Sequence, residues 1–442
     1  MNLHTHRAGV LDPTFGDNGI APLTLPIGHR EFEPLSCYTE PDGSMVYYGH
    51  AAVAELPAEQ TGFYFGRLTP DGTPTEAAPV HRVACPVSTS NYDFTVSRTA
   101  VNAGILGFSL PVHPVAKFAR YRSYIGISRF AEDFTPLPEF GDNGIVIPLP
   151  MFNDSLRPAG SSTLPCVQSN TAQNRLADNI GLPRGAVIGK RIRVVFQSFL
   201  IDNENTEIID TTTLLASFDS ATGKPISDIG ENHDAETVVL PERDGEALEP
   251  TGAHFYDNGS FVLLAVTSAS TYLMRFHANG QLDDGFADGQ PIKLPLGVLS
   301  YLAVSEKRLV VTIPASPLPL GGGTTVYAFD KDGTADREFN LGQPLTIAAT
   351  DATTLTLYNA VIDEDERIIL SGGRWSVDSG LSSECHVTRL LSNGTLDPEF
   401  ADNGHFRGPE GYQYGEAVFV NDDGIRIVCS APGIESIAKL TT

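Results

Sequence analysis

Hydrophobic positions along this chain fall in short alternating runs broken by turn formers, and no stretch carries the spacing of a long amphipathic helix. Gly62–Leu68, Tyr124–Phe130, Thr213–Phe218, Tyr272–Phe276, Thr325–Phe329, Cys385–Leu390 and Ser436–Leu440 all read as strands. Others are paired across tight turns. A strand near Glu33–Tyr38 turns at Pro41-Asp42-Gly43 into Ser44–Gly49, and Gly252–Tyr256 turns at Asp257-Asn258-Gly259 into Ser260–Ala265. Glu306-Lys307, Asp363–Glu366 and Asn421–Gly424 mark further hairpins, before Leu309–Thr312, Arg367–Leu370 and Ile425–Val428.

One connector keeps returning between these strands. Its full form, Gly-x-Leu-Asp-x-x-Phe, stands at Gly9, Leu11, Asp12, Phe15 and again at Gly394, Leu396, Asp397, Phe400. Partial copies hold Phe140, Asp283 with Phe286, and Asp336 with Phe339, and two worn copies lie around Gly72 and Gly223. Each residue type has a physical use. The glycine accepts a positive φ at the end of the preceding strand. Leu and Phe are apolar residues in a polar connector and are expected to anchor it in a core. The aspartate is expected to accept hydrogen bonds from nearby backbone amides. Asp-Asn-Gly after the phenylalanine is a turn signal.

Three strands after each connector, plus the strand before the next, make four per unit. Phe286, Phe339 and Phe400 are one unit apart, while Phe15 to Phe140 and Phe140 to Phe286 each span two. One more unit completes the count if the C-terminal residues run on into the N-terminal ones. The expectation is therefore an all-β chain forming one seven-bladed β-propeller of four-stranded antiparallel blades over residues 1–442. Its ring is closed where the N-terminal connector meets the C-terminal strand. Residues 153–183, rich in Ser, Asn, Pro and Gly, read as an inserted loop in the third blade. The basic residues Arg184, Lys190, Arg191 and Arg193 follow it; they read as a strand face paired with acidic neighbours, or else as a partner-binding loop.

The connector followed by an x-x-Asp-Gly hairpin resembles the bacterial delta-60 repeat family. That resemblance covers nearly the whole chain. It implies a propeller-like repeat fold in proteins often without an assigned activity, and it brings no catalytic residues.

Composition narrows the function. At 41% hydrophobic and 19% charged, a sizeable core is available, and a net charge of −25 disfavours phosphate backbones and anionic membranes while favouring basic partners or cations. No transmembrane-length apolar window occurs. The five scattered cysteines and the lack of an apolar leader point to reduced thiols in a cytoplasmic protein, with leaderless export the alternative.

No nucleophile elbow, phosphate loop, paired-cysteine zinc site or His-Glu-x-x-His helix is present, and His4 with His6 lack a third ligand. Residues repeated in every unit read as structural, so ligand contacts are sought among residues used once. Acids and tyrosines before each second strand are the candidates for a channel rim: Glu33, Asp93, Glu249, Tyr301, Tyr358, Tyr414 and Glu416. The leading expectation is a non-catalytic binding or scaffold propeller, without cofactor, engaging a protein or glycan through one face. The first alternative is a metal-dependent hydrolase or lyase with a divalent cation in the channel. The second is an assembly component of a toxin or secreted complex.

Overall fold

The computed structural model describes residues 8–23, 29–40, 42–53, 62–75, 94–99, 104–109, 120–122, 126–131, 134–141, 144–146, 184–202, 207–297, 299–314, 322–348, 353–376, 382–431 and 434–442. They are almost wholly β. In chain order the strands are β1 (Ile20–Pro22), β2 (His29–Thr39), β3 (Met45–Val53), β4 (Gly62–Leu68), β5 (Phe94–Thr99), β6 (Gly104–Ser109), β7 (Arg120–Arg122), β8 (Gly126–Phe130) and β9 (Ile145–Val146). Next come β10 (Arg184–Ile188), β11 (Arg191–Asp202), β12 (Glu207–Asp219), β13 (Thr237–Val239), β14 (Glu249–Phe255), β15 (Phe261–Val266), β16 (Ser270–Phe276), β17 (Ile292–Pro295), β18 (Tyr301–Val304), β19 (Arg308–Pro314) and β20 (Gly323–Asp330). The last are β21 (Leu345–Ala348), β22 (Thr353–Ile362), β23 (Ile368–Ser376), β24 (Ser382–Leu390), β25 (His405–Arg407), β26 (Tyr414–Asn421), β27 (Gly424–Ala431) and β28 (Ile434–Leu440). Among the described residues no helix is long and apolar enough to cross a membrane.

These strands form separate antiparallel sheets: β2-β3-β4, β5-β6-β8-β9, β10-β11-β12-β13 with β7 added beside β11, β14-β15-β16-β17, β18-β19-β20-β21, β22-β23-β24-β25, and β26-β27-β28-β1. The topology corrects the unit boundary. The strand after each connector joins the three strands before that connector, so β17 lies on β16 and β25 on β24. The connector itself explains this. Its aspartate amide donates back to the preceding strand, Asp283 to the Arg275 carbonyl (2.9 Å), Asp336 to Ala328 (3.0 Å) and Asp397 to Arg389 (3.0 Å). The chain is thereby folded back onto the sheet it has just left. At the chain ends the same bond runs from the Asp12 amide to the Lys439 carbonyl (2.9 Å), and β1 pairs with β28 from Ile20↔Ala438 to Pro22↔Ser436.

The described residues pack as two compact units, one within 1–51, 64–80 and 300–442, the other within 52–63 and 81–299. In the first, β18–β21 pack on β22–β25 through Val310, Val326, Leu355, Leu357 and Leu370, and β22–β25 pack on the last sheet through Val387, Phe400, Ile425 and Ile427. The last sheet packs in turn on β2–β4 through Phe15, Met45, Tyr47 and Ile437. In the second unit, Ile127 and Phe140 meet Ile192 and Val194, and Val195 and Leu215 meet Phe261, Leu263 and Met274. Within the units β10–β13, β22–β25 and the last sheet each pack on a sheet to either side, which is how small repeats that cannot fold singly are stabilised.

The repeat residues are the fasteners of this stack. Phe15, Phe140, Phe286, Phe339 and Phe400 are at most 2% exposed. Phe400 lies where a Cβ on Gly9 would sit (2.6 Å), and Phe339 does the same to Gly394 (3.0 Å). Both glycines also have positive φ (77° and 86°), so no other residue fits there without strain. Beside four of these phenylalanines the next amide crosses to the neighbouring hairpin: Ala401 to the Ala8 carbonyl (2.9 Å), Asn340 to Asn393 (3.0 Å), Gly16 to Asp71 (2.7 Å) and Gly141 to Thr222 (3.0 Å).

The aspartates do more than hold a turn. The Asp397 carboxylate accepts from the Glu399 amide (3.0 Å) and from Arg389 Nε (2.8 Å), while the Arg389 guanidinium lies over the Phe400 ring (4.6 Å). Arg275, Asp283 and Phe286 repeat this arrangement, as do Lys439, Asp12 and Phe15. Asp336 follows Ala328 instead of a cation, and Arg308 from the neighbouring strand β19 takes the role (3.2 Å). Burial raises the Asp12 carboxyl, but the Thr14 hydroxyl and amide and the Lys439 ammonium more than offset it and hold it at about 2. Of the two leucines, Leu396 differs from expectation. Leu11 is half-buried and Leu396 is 42% exposed. They bridge to Leu440 and Leu390 at the sheet ends and cover Gly19 and Gly404; Leu11 also packs against the core formed with Phe400 and Leu440, whereas Leu396 stays at the surface.

Candidate functional site

β10, β14, β18, β22 and β26 begin the same edge of their respective sheets. In three of these strands the ladder slips by one residue: at Pro250/Gly252 in β14, at Leu357/Asn359 in β22 and at Gly415/Ala417 in β26. The extra residues are Thr251, Tyr358 and Glu416. A bulge re-aims the side chain it carries and breaks the alternation of the strand. The frame repeats while the residue at the bulge changes, and two of the three are sequence-stated candidates. Sequence reading reached Tyr358 and Glu416 through residue type and position, and missed the bulges, because register is invisible without the partner strand.

In the first unit the structure brings Tyr358, Tyr414 and Glu416 together. Tyr358 is buried, and desolvation with the nearby Glu416 carboxylate raises its phenol well above the ordinary range. Asn359 Nδ2 donates to the Glu416 carbonyl, and Ser430 Oγ donates to Glu416 Oε1 (2.6 Å). Trp375, half-buried on β23, tilts against Tyr414 at 5.5 Å between ring centroids. Tyr301 is 37% exposed at the start of β18. Glu33 lies on the backbone of β2 with its side chain outside the described set; Asp93, His4, His6 and the 153–183 insertion lie outside the described residues.

In the second unit Glu249 lines an open cleft of about 420 Å³ together with Asp210, Glu242, Glu246, Gln197 and Ser268. Sequence reading singled out Glu249; the cleft adds Asp210, Glu242 and Glu246. Ser268 fixes Glu246 through its amide (2.8 Å) and hydroxyl (2.5 Å). Burial pushes the Glu249 carboxyl up, and no basic side chain is among the residues lining the cleft. The basic run after the insertion is absorbed structurally: Arg191 and Arg193 both reach Asp228, and Arg184 donates to the Thr251 carbonyl (2.9 Å).

His277, Asp283 and Asp284 form the one group among the described residues whose side chains could jointly hold a metal ion, with ligand atoms within 4.8 Å of one another. They lie on a connector and not among the rim candidates. Asp283 is also bonded to Arg275 (2.6 Å) and the Gly285 amide (2.8 Å), and that guanidinium opposes a divalent cation.

A histidine pair gives the first unit a pH response. His386 Nε2 and His405 Nδ1 share a hydrogen bond (3.2 Å), one ring donating. Burial, then the charges of His405, Arg407 and Arg374, lower His386 to about 3. Its unfolded value is near 6.5, so the unfolded chain takes up the proton first as pH falls. The stability that neutral His386 contributes is complete above about pH 6.5 and is lost toward pH 3, at roughly 1.4 kcal/mol per pH unit. Thermal melts from pH 7.5 to 4 should show a steeper decline for the wild type than for His386→Gln; parallel profiles would mean that folded His386 takes up its proton at the same pH as the unfolded chain.

The fold and sites define an all-β repeat protein of stacked antiparallel sheets. It is similar to a Dos1 propeller (TM-score 0.44, 9% identity, 95% of each chain covered), to the polysaccharide lyase Uly1 (0.43, 9%, 98% of this chain and 96% of that one) and to the β-propeller domain of the Trilobed protease from Pyrococcus furiosus (0.37, 10%, 79% and 85%). Likeness of this degree assigns no activity. No protein-family model matches the sequence, and no curated protein matches it.

Proposed function

We propose that the chain is a seven-bladed β-propeller of the delta-60 repeat kind, closed by β1 on β28, that serves as a non-catalytic binding module for a protein ligand presenting basic side chains. The observation that carries the binding role is the cleft at the bulged edge of β14, where four carboxylates converge without a lining cation and Glu249 is left half-buried. A lysine or arginine entering it would meet fixed negative charge in a partly desolvated site, where such pairing is stronger than in water. The charge of −25 would steer such a ligand in.

The test is titration with a lysine-rich decapeptide, followed by fluorescence anisotropy at several salt concentrations. Replacing Glu246 and Glu249 by Gln together is expected to weaken binding about tenfold, or about 1.4 kcal/mol. The control removes two charges at a second acidic cavity of about 260 Å³, by Glu364→Gln with Asp422→Asn. Equal weakening in both variants would reduce the interaction to net charge and defeat the cleft reading. Binding on a glycan array with none to the peptide would replace the protein ligand by a sugar.

Glu249 also favours a second reading, because a carboxyl raised by burial suits a general acid in a hydrolase or lyase. A stoichiometric metal in chelator-free protein, with a lower melting temperature in EDTA, would support it.

A further inference from the structure

Beneath the Tyr414–Glu416 segment lies a group that the binding role does not use. Cys385 on β24 and Cys429 on β27 belong to neighbouring sheets of the first unit, both are wholly buried, and their sulfurs are 3.7 Å apart. Free thiols from separate sheets come this close because Gly415 stands between them. A Cβ at Gly415 would lie 3.4 Å from Cys385 Sγ, 3.3 Å from Ser371 and 3.2 Å from Ile427, so a larger residue there would crowd this contact. A disulfide bond is about 2 Å long, so the two sulfurs already stand within a short approach of bonding distance.

We propose that Cys385 and Cys429 are a redox-modification site, at which hydrogen peroxide converts the pair to a disulfide joining β24 to β27. One thiolate attacks the peroxide, becoming a sulfenic acid and releasing hydroxide, which the thiol proton neutralises to water. The second sulfur then attacks the sulfenic sulfur; the S–S bond forms and the hydroxyl leaves with the second thiol's proton as water. Two thiols are oxidised by two electrons and one peroxide is reduced to two waters. Burial raises the Cys429 thiol well above its usual range, so attack on peroxide waits on opening of the site. Access follows the 408–413 segment, which is held over Cys385 by backbone bonds from the Cys385 amide to Tyr412 and from the Gly408 amide to Cys385 (both 3.0 Å). Its local opening is all that a molecule as small as peroxide requires.

The experiment treats the full chain with peroxide, alkylates it under denaturing conditions and maps the peptides by mass spectrometry. The expected result is a loss of two thiols from a chain of five cysteines, a Cys385–Cys429 linked peptide, a raised melting temperature, and reversal of all three by dithiothreitol. Cys385→Ser and Cys429→Ser should each abolish the link; if either fails to fold, the wild-type map decides alone. Five thiols retained, sulfinic acid without a link, or a link through Cys37, Cys85 or Cys166 would overturn the proposal.

Discussion

Deleting residues 1–22 is expected to lower the melting temperature sharply and to make the protein associate. The deletion removes β1 and the first connector together. It strips β28 of its partner strand, along with the bonds from Gly9 to the Thr441 carbonyl (2.8 Å) and from Asp12 to Lys439 (2.9 Å). It also removes Phe15 and Ala21, both fully buried in the core formed with Met45, Tyr47 and Ile437. Phe15→Ala alone should cost about 3–5 kcal/mol, as large-to-small core changes do. The bared edge of β28 is a pairing template, so light scattering should rise together with the fall in melting temperature. A truncated chain that melts like the full one would show that the pairing of the two chain ends stabilises nothing.

Asp397→Ala is expected to be the most damaging single replacement among the connector aspartates. Arg389 and Asp397 are 2% and 4% exposed at their side chains, and removing the carboxylate leaves a buried guanidinium without its counter-charge. The cost of such an orphaned charge is about 3–5 kcal/mol. Asp283→Ala makes the same change where the side chains are more open, 20% for Arg275 and 13% for Asp283, so solvent takes up part of the charge and the loss should be clearly smaller. Urea midpoints of the two variants provide the comparison. Equal losses would mean that the turn bonds to Glu399 and Gly285, and not burial of the ion pair, set the cost. Asp397→Asn, which keeps an acceptor for the Glu399 amide, separates the same two contributions within one site.

Much of this architecture is legible in the chain. The hairpins at Asp257-Asn258-Gly259 and Asn421–Gly424 and the strands on either side follow from alternation and turn chemistry, which act over a few residues. Even the ion pairs leave a trace, since Arg275 and Arg389 each stand eight residues before their aspartates. In the copy at Asp336 the cation arrives from β19, and no local spacing announces that. Of the rim candidates, Tyr358, Tyr414 and Glu416 do converge, whereas Glu249 belongs to a separate carboxylate cleft.

The sequence by itself determined the β class, the positions of the turns, the glycines that must take positive φ and the phenylalanines that must be buried, because each depends on the residue and its near neighbours. Only the tertiary structure decided which sheet receives the strand after each connector, where the ladders slip at Thr251, Tyr358 and Glu416, and that Cys385 meets Cys429. Those outcomes depend on register and on contacts between residues far apart in the chain, and one-residue slips of register change which face every side chain takes.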